Sequence, residues 1–157
     1  RLYSLPVIPK DRVNSLNLEY QFKVINYLDT VPANTETTAL LNATYQKIKE
    51  IQNEKMDSWK NAFKLASYFN KRYDYMYSLS LMTPFLDDPT ISEDFIFSYV
   101  TLAAHREETY LSGLFTKAVK LAAEKNASRL CGLVDKLPSC ILENEGAKKI
   151  ICKACNR

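Results

Sequence analysis

Four cysteines stand in the last sixth of the chain, Cys131, Cys140, Cys152 and Cys155, with eight, eleven and two residues between them. Thiols in such a cluster can bind zinc, exchange with disulfides or close loops as cystines. A four-thiolate zinc site normally uses two Cys-x-x-Cys knuckles held in turns. Cys152 and Cys155 alone have that spacing, and they fall in a segment of helical periodicity, so no metal site is expected. The even count and the clustering suit disulfides that staple a C-terminal cap in an oxidising compartment, with Cys131 or Cys140 paired to the last helix. Reduced, buried thiols filling a terminal hairpin are the competing reading, because free cysteine is among the most buried residue types. Spacing alone leaves both open.

Little else could do covalent chemistry. The chain has one histidine, His105, so a serine or cysteine nucleophile would have a single base to draw on. His105 falls at the predicted end of a helix beside Arg106, where an exposed imidazole simply interacts well with the helix dipole. Asp87-Asp88 and Glu107-Glu108 lie at helix junctions, and Glu93-Asp94 falls in a first helical turn, positions that capping and the dipole explain. No Gly-rich phosphate loop or nucleophile elbow occurs. The expectation is a protein that is no enzyme and carries no cofactor.

The elements that position these residues follow from composition and periodicity. Three glycines in 157 residues leave few positive-φ turns for β-hairpins, which favours an all-α chain. An apolar content of 46% with 25% charged residues suits a folded core. The net charge of +3 is small and the basic residues are interspersed with acidic ones, so nucleic-acid binding has no electrostatic footprint. No apolar run is long enough to span a bilayer, and the chain opens on Arg1 without signal-peptide organisation, as a processed or excised chain would. Two sequons, Asn42-Ala-Thr44 and Asn126-Ala-Ser128, are compatible with a secreted glycoprotein.

Prolines at Pro6 and Pro9 make residues 1–10 an extended arm. A single helical domain is expected over 11–157, with a cysteine-containing cap over 127–157. Leu16, Tyr20, Val24 and Leu28 mark a first helical stripe. Leu41, Tyr45, Ile48 and Ile51 mark a second, capped by Asn34. Trp59, Phe63, Ala66 and Phe69 define a third helix. A fourth carries Tyr75, Met76, Leu79 and Met82 and kinks or stops at Pro84. Asp88-Pro89 reads as the start of a fifth, with Phe95, Tyr99 and Leu102. A sixth places Leu111, Leu114, Phe115, Ala118 and Leu121 on one stripe. Ser128 caps a short seventh segment, and a last helix starts at Asn144 or Glu145. Connections this short imply antiparallel hairpins, stacked as a short repeat-like array or gathered in a helical bundle.

The most informative surface signal is "YFNKRYDYMY", residues 68–77, whose tyrosines point in more directions than one buried stripe can absorb. Tyrosine and arginine together offer rigid contact area with a polar tip, the chemistry of binding hot spots. Tyr68, Arg72, Tyr73, Tyr75, Tyr77, Arg106 and Tyr110 are therefore candidate partner-binding residues. Packing within the hairpin, with hydroxyls reaching solvent, is the competing account.

The stretch 65–79 also repeats weakly: Leu65-Ala66 answers Leu102-Ala103 and Tyr73 answers Tyr110, at a constant offset of 37. With "ETYLSGLFTKAVKLAAEKN", in which Tyr110, Gly113, Ala118 and Asn126 fall near the landmarks of a second repeat helix, the chain resembles the tetratricopeptide-like helical repeats over residues 56–126. The offset exceeds that family's 34-residue period, and its Trp/Leu-Gly opening is missing. The resemblance implies a superhelical scaffold that binds a peptide or protein. The expected function is thus a non-enzymatic protein-protein interaction module. The alternative is a secreted, disulfide-stapled bundle holding a small apolar ligand among Met56, Trp59, Phe63, Met76 and Phe95. Cysteine clustering favours an extracytoplasmic location in either case.

Overall fold

A computed structural model describes residues 20–28, 30–52, 58–71 and 73–157. The described residues are all-helical, as expected, and contain no strand. The helices are α1 (residues 20–28), α2 (Thr35–Gln52), α3 (Trp59–Lys71), α4 (Tyr75–Met82), α5 (Glu93–Ala103), α6 (Glu107–Tyr110), α7 (Gly113–Val134) and α8 (Glu145–Cys155), with 3-10 turns at Thr83–Phe85 and Ser139–Glu143. The arm over 1–10, Met56 and Arg72 lie outside the described residues.

The chain divides into two compact units, Arg1–Met56 and Asp57–Arg157, where the sequence reading has one domain from residue 11. The boundary falls in a polar run from Gln52 to Ser58 whose single apolar residue is Met56, a composition typical of a connection. In the first unit, Phe22, Ile25 and Leu28 are buried while Tyr20 is 63% exposed. The buried face of α1 is therefore shared with the predicted stripe at Leu28 but rotated away from Tyr20. Asn34 caps α2 as expected, its Oδ1 accepting from the Thr37 N–H at 2.9 Å while the Thr37 hydroxyl accepts from the Asn34 N–H at 2.8 Å.

The second unit is built around α5. Phe95, Ile96, Phe97, Tyr99, Val100 and Ala103 are all buried, and a helix buried around so much of its circumference must sit inside its neighbours. Ser92 caps it, accepting from the Phe95 N–H at 3.1 Å. The predicted start at Asp88-Pro89 is instead an Asx turn, in which the Asp88 carboxylate accepts from the Thr90 N–H and hydroxyl. α3 lays Ala62, Leu65, Ala66 and Phe69 into the core. α4 folds back along it, with the Phe69 and Tyr77 rings 4.6 Å apart and the Ser78 hydroxyl donating to Ala66 O at 2.9 Å. It ends at Met82, where Pro84 forces a 3-10 turn.

After α5 a single helical turn, α6, precedes a restart at Ser112, which caps α7 through the Phe115 N–H. α7 is broken at Asn126 (φ −162°, ψ 87°). Its second part, beginning beyond Asn126, turns back along α5: Arg129 meets Glu93 and Asp94 in the first turn of α5, and Leu133 lines the same groove as Thr101 and Leu102. The short seventh segment of the sequence reading exists, capped by Asn126 two residues ahead of Ser128. α8 then runs beside α7. Gly146 is needed at their crossing, where a Cβ would stand 2.9 Å from Thr116 Cγ2. A Cys131–Cys155 disulfide (Cα–Cα 5.6 Å) and an Arg157–Asp135 ion pair fasten its far end.

Candidate functional site: one end of the 57–157 unit

Two turns of the second unit point the same way. The rings of Trp59 and Phe63 lie 5.9 and 5.4 Å from that of Phe95, and seven residues beyond Phe63 Asn70 lines one groove with Thr101 and Leu102. α3 and α5 therefore run in the same direction, and the α3–α4 and α5–α6 turns share one end. The opposite end holds the Glu93–Asn126–Arg129 cluster.

At the shared end, Tyr73 adopts φ 61°. A bulky residue in the left-handed region is strained by contact of its Cβ with the backbone. The turn is fixed by Asn70 O and Phe69 O, which accept from the N–H groups of Tyr73 and Asp74 at 3.0 Å each. Asp74 then caps α4 through the Tyr77 N–H. The result drives the Tyr73 ring into solvent, 79% exposed, against Tyr75 at a centroid distance of 6.1 Å and near-perpendicular planes.

The predicted tyrosines separate by environment. Tyr73 and Tyr75 are at the surface, with Met76 40% exposed beside them. Tyr68 and Tyr110 are buried, and the Lys71 ammonium covers the Tyr68 ring at 5.6 Å. Tyr77 is half-buried; burial first and the Asp74 charge second push its hydroxyl pKa up. A hydrogen bond to the Cys140 thiol, followed by burial, pushes Tyr110 up to about 12. Arg106 is exposed at the α5–α6 turn and pairs with Glu108 at 3.5 Å. His105 is exposed beside it.

Leu111 and Leu114, which the periodicity assigns to the buried stripe of one long helix, are 44% and 43% exposed. The break at Ser112 leaves Leu111 outside α7, while Leu114 lies in the first turn of α7, beside the stripe of Phe115, Ala118 and Ala122, which are buried. Ser112-Gly113 was the signal available in the sequence, a cap followed by a weak helix former. Among the described residues of this unit, the exposed large apolar side chains are Tyr73, Tyr75, Met76, Leu111 and Leu114. All belong to the elements that meet at this end.

A groove of about 240 Å³ lies between α3, α5 and the second part of α7. Ala66, Met82 and Phe97 line it together with Ser67, Asn70 and Arg129. The Arg129 guanidinium stacks 4.5 Å from the Phe97 ring and donates to Glu93 and Asp94 at 2.9 Å each. Of the residues predicted to line a ligand cavity, Phe63 borders this groove, Phe95 is wholly buried in the core and Met76 is at the surface.

Cys140 and Cys152 are free, half-buried thiols, while Cys131 and Cys155 are paired. The described residues contain no group of three or more His, Cys, Asp or Glu placed to hold a metal ion. No described helix is long and apolar enough to cross a membrane. Comparison of the chain with protein-family models, with curated proteins and with solved structures finds no match.

Proposed function

We propose that the 57–157 unit is a non-enzymatic interaction module that binds a protein partner through the end formed by the α3–α4 and α5–α6 turns. The observation that carries this reading is Tyr73, held at φ 61° and 79% exposed. Strain that keeps an aromatic ring in water lowers stability without helping the fold, and such outliers cluster at binding sites. Tyr75, Met76, Leu111 and Leu114 extend the apolar area, and Arg106 supplies a charged rim. A tetratricopeptide-like stack would be an interaction scaffold of the same class, although such arrays bind on a concave face and this end is formed by turns. The Cys131–Cys155 pair supports an extracytoplasmic setting, where cystines persist. Tyr73→Ala tests the reading: capture of partner from an extract of the source should fall about tenfold, in the range of a hot-spot tyrosine, with unchanged helicity. Undiminished capture by the folded variant would move the site elsewhere.

The groove beside Arg129 favours a second reading, a site for a small apolar ligand. Delipidated protein titrated with a fluorescent fatty-acid analogue tests it. Binding that Ser67→Trp, at an exposed position on the rim of the groove, removes with unchanged circular dichroism supports that reading, and no binding eliminates it.

A further inference from the structure

We propose that the partner is a second copy of this chain, docked end to end about a two-fold axis through the α3–α4 and α5–α6 turns; this rests on the reading of that end as a binding surface. The charge on the two lobes of that end favours self-docking. In the α3–α4 lobe Lys71 is exposed, and the one acid of the turn, Asp74, caps the Tyr77 N–H and keeps its charge. Arg72 adds a further base in the sequence. In the α5–α6 lobe Glu107 and Glu108 are both exposed in the first turn of α6, and the one arginine of the turn, Arg106, pairs with Glu108. One lobe is thus net basic and the other net acidic, and each carries exposed apolar side chains: Tyr73, Tyr75 and Met76 on the first, Leu111 and Leu114 on the second.

A two-fold axis near the C-terminal end of α5, between the lobes, sets the basic lobe of each copy on the acidic lobe of the other. Lys71 then faces Glu107 twice, and the tyrosines meet the leucines twice. An isologous contact requires a surface whose halves complement each other. This end has that property in both charge and apolar content. An unrelated partner would need to bring a matching pair of lobes of its own.

Sedimentation velocity on the full chain, from low micromolar to several hundred micromolar, tests the proposal. The wild-type chain should shift from monomer to dimer. Tyr73→Ser with Leu111→Ser should remain monomeric at the same circular dichroism. Lys71→Glu and Glu107→Lys, both at exposed positions, should each weaken the dimer by about tenfold. An equimolar mixture of those two variants should recover it, because each then meets its opposite charge at both contacts. A wild-type chain that stays monomeric throughout would overturn the self-association proposal, while loss of partner capture by Tyr73→Ala would leave the binding end itself standing. A dimer indifferent to all four substitutions would overturn it too, by placing the contact on another surface.

Discussion

Asn144 shows how much one side chain can hold together. Its Oδ1 accepts from the Ala147 N–H at 3.1 Å and from the Thr116 hydroxyl at 3.0 Å, while its Nδ2 donates to Tyr110 O at 2.8 Å and Ser112 O at 3.2 Å. One buried amide thereby caps α8 and ties it to both sides of the α6–α7 restart. Asn144→Ala loses the cap and leaves backbone carbonyls without their donor, so urea unfolding should show a loss of about 3 kcal/mol. The cap is legible in the sequence as an asparagine before an acidic first turn. The bonds to Tyr110 and Ser112 are not, because they join residues more than thirty positions apart. At Tyr73 the opposite sign is expected. Tyr73→Gly removes the left-handed strain, partly offset by the greater freedom of glycine when unfolded, and should raise stability by roughly 0.5 kcal/mol. The same variant should bind partner less well, which separates a binding role from a structural one.

At the scale of the element, the break in α7 decides the topology. The Asn126 side chain accepts from the Arg129 N–H at 3.0 Å and donates to Glu93 Oε1 at 3.1 Å, so the restart is capped locally and anchored to α5. Asn126-Ala-Ser128 offers two capping residues within three positions, and periodicity alone cannot choose between them. Glu93, from another helix, makes the choice. Its bond from Arg129 first, and that from Asn126 second, hold the Glu93 carboxyl below its usual range. A carboxylate with a depressed folded pKa contributes stability above its unfolded pKa, about 4.3, and that contribution is lost as pH falls through the lower folded value. Acid titration of stability should therefore be shallower in Glu93→Gln than in the wild-type chain below about pH 4.3. Equal slopes would mean that the carboxylate is not engaged in solution. The stop of α4 before Pro84 and the Ala66 and Phe69 positions of α3 were legible because local sequence sets them, whereas Ala62 and Leu65 take the core places that the spacing assigns to Trp59 and Phe63. The exposure of Leu111 was not legible, since the restart at Ser112 takes it out of the long helix, nor was that of Leu114 in the first turn of α7.

For the molecule as a whole, the Cys131–Cys155 bridge closes a loop of 24 residues by sequence separation. Restricting a loop of that size in the unfolded chain is worth about 3.5 kcal/mol. Cys155→Ser should lower unfolding stability by about that amount, and alkylation of the wild-type chain, denatured without reductant, should label Cys140 and Cys152 alone. Four clustered cysteines made a staple foreseeable. Which two pair could not be read from spacing, because the choice depends on α8 packing against the returning part of α7. The aromatic run was likewise legible as a surface signal, whereas the division of its tyrosines between core and solvent awaited the left-handed turn at Tyr73. Binding at the shared end of the 57–157 unit, as proposed above, would place a partner against both turns. Site-specific photo-crosslinking would locate that contact, with the probe placed in turn at Tyr73, at Leu111 and at the exposed Lys125 near the opposite end. Adducts are expected from positions 73 and 111 and none from position 125. Adducts concentrated at 125, with 73 and 111 silent, would contradict it.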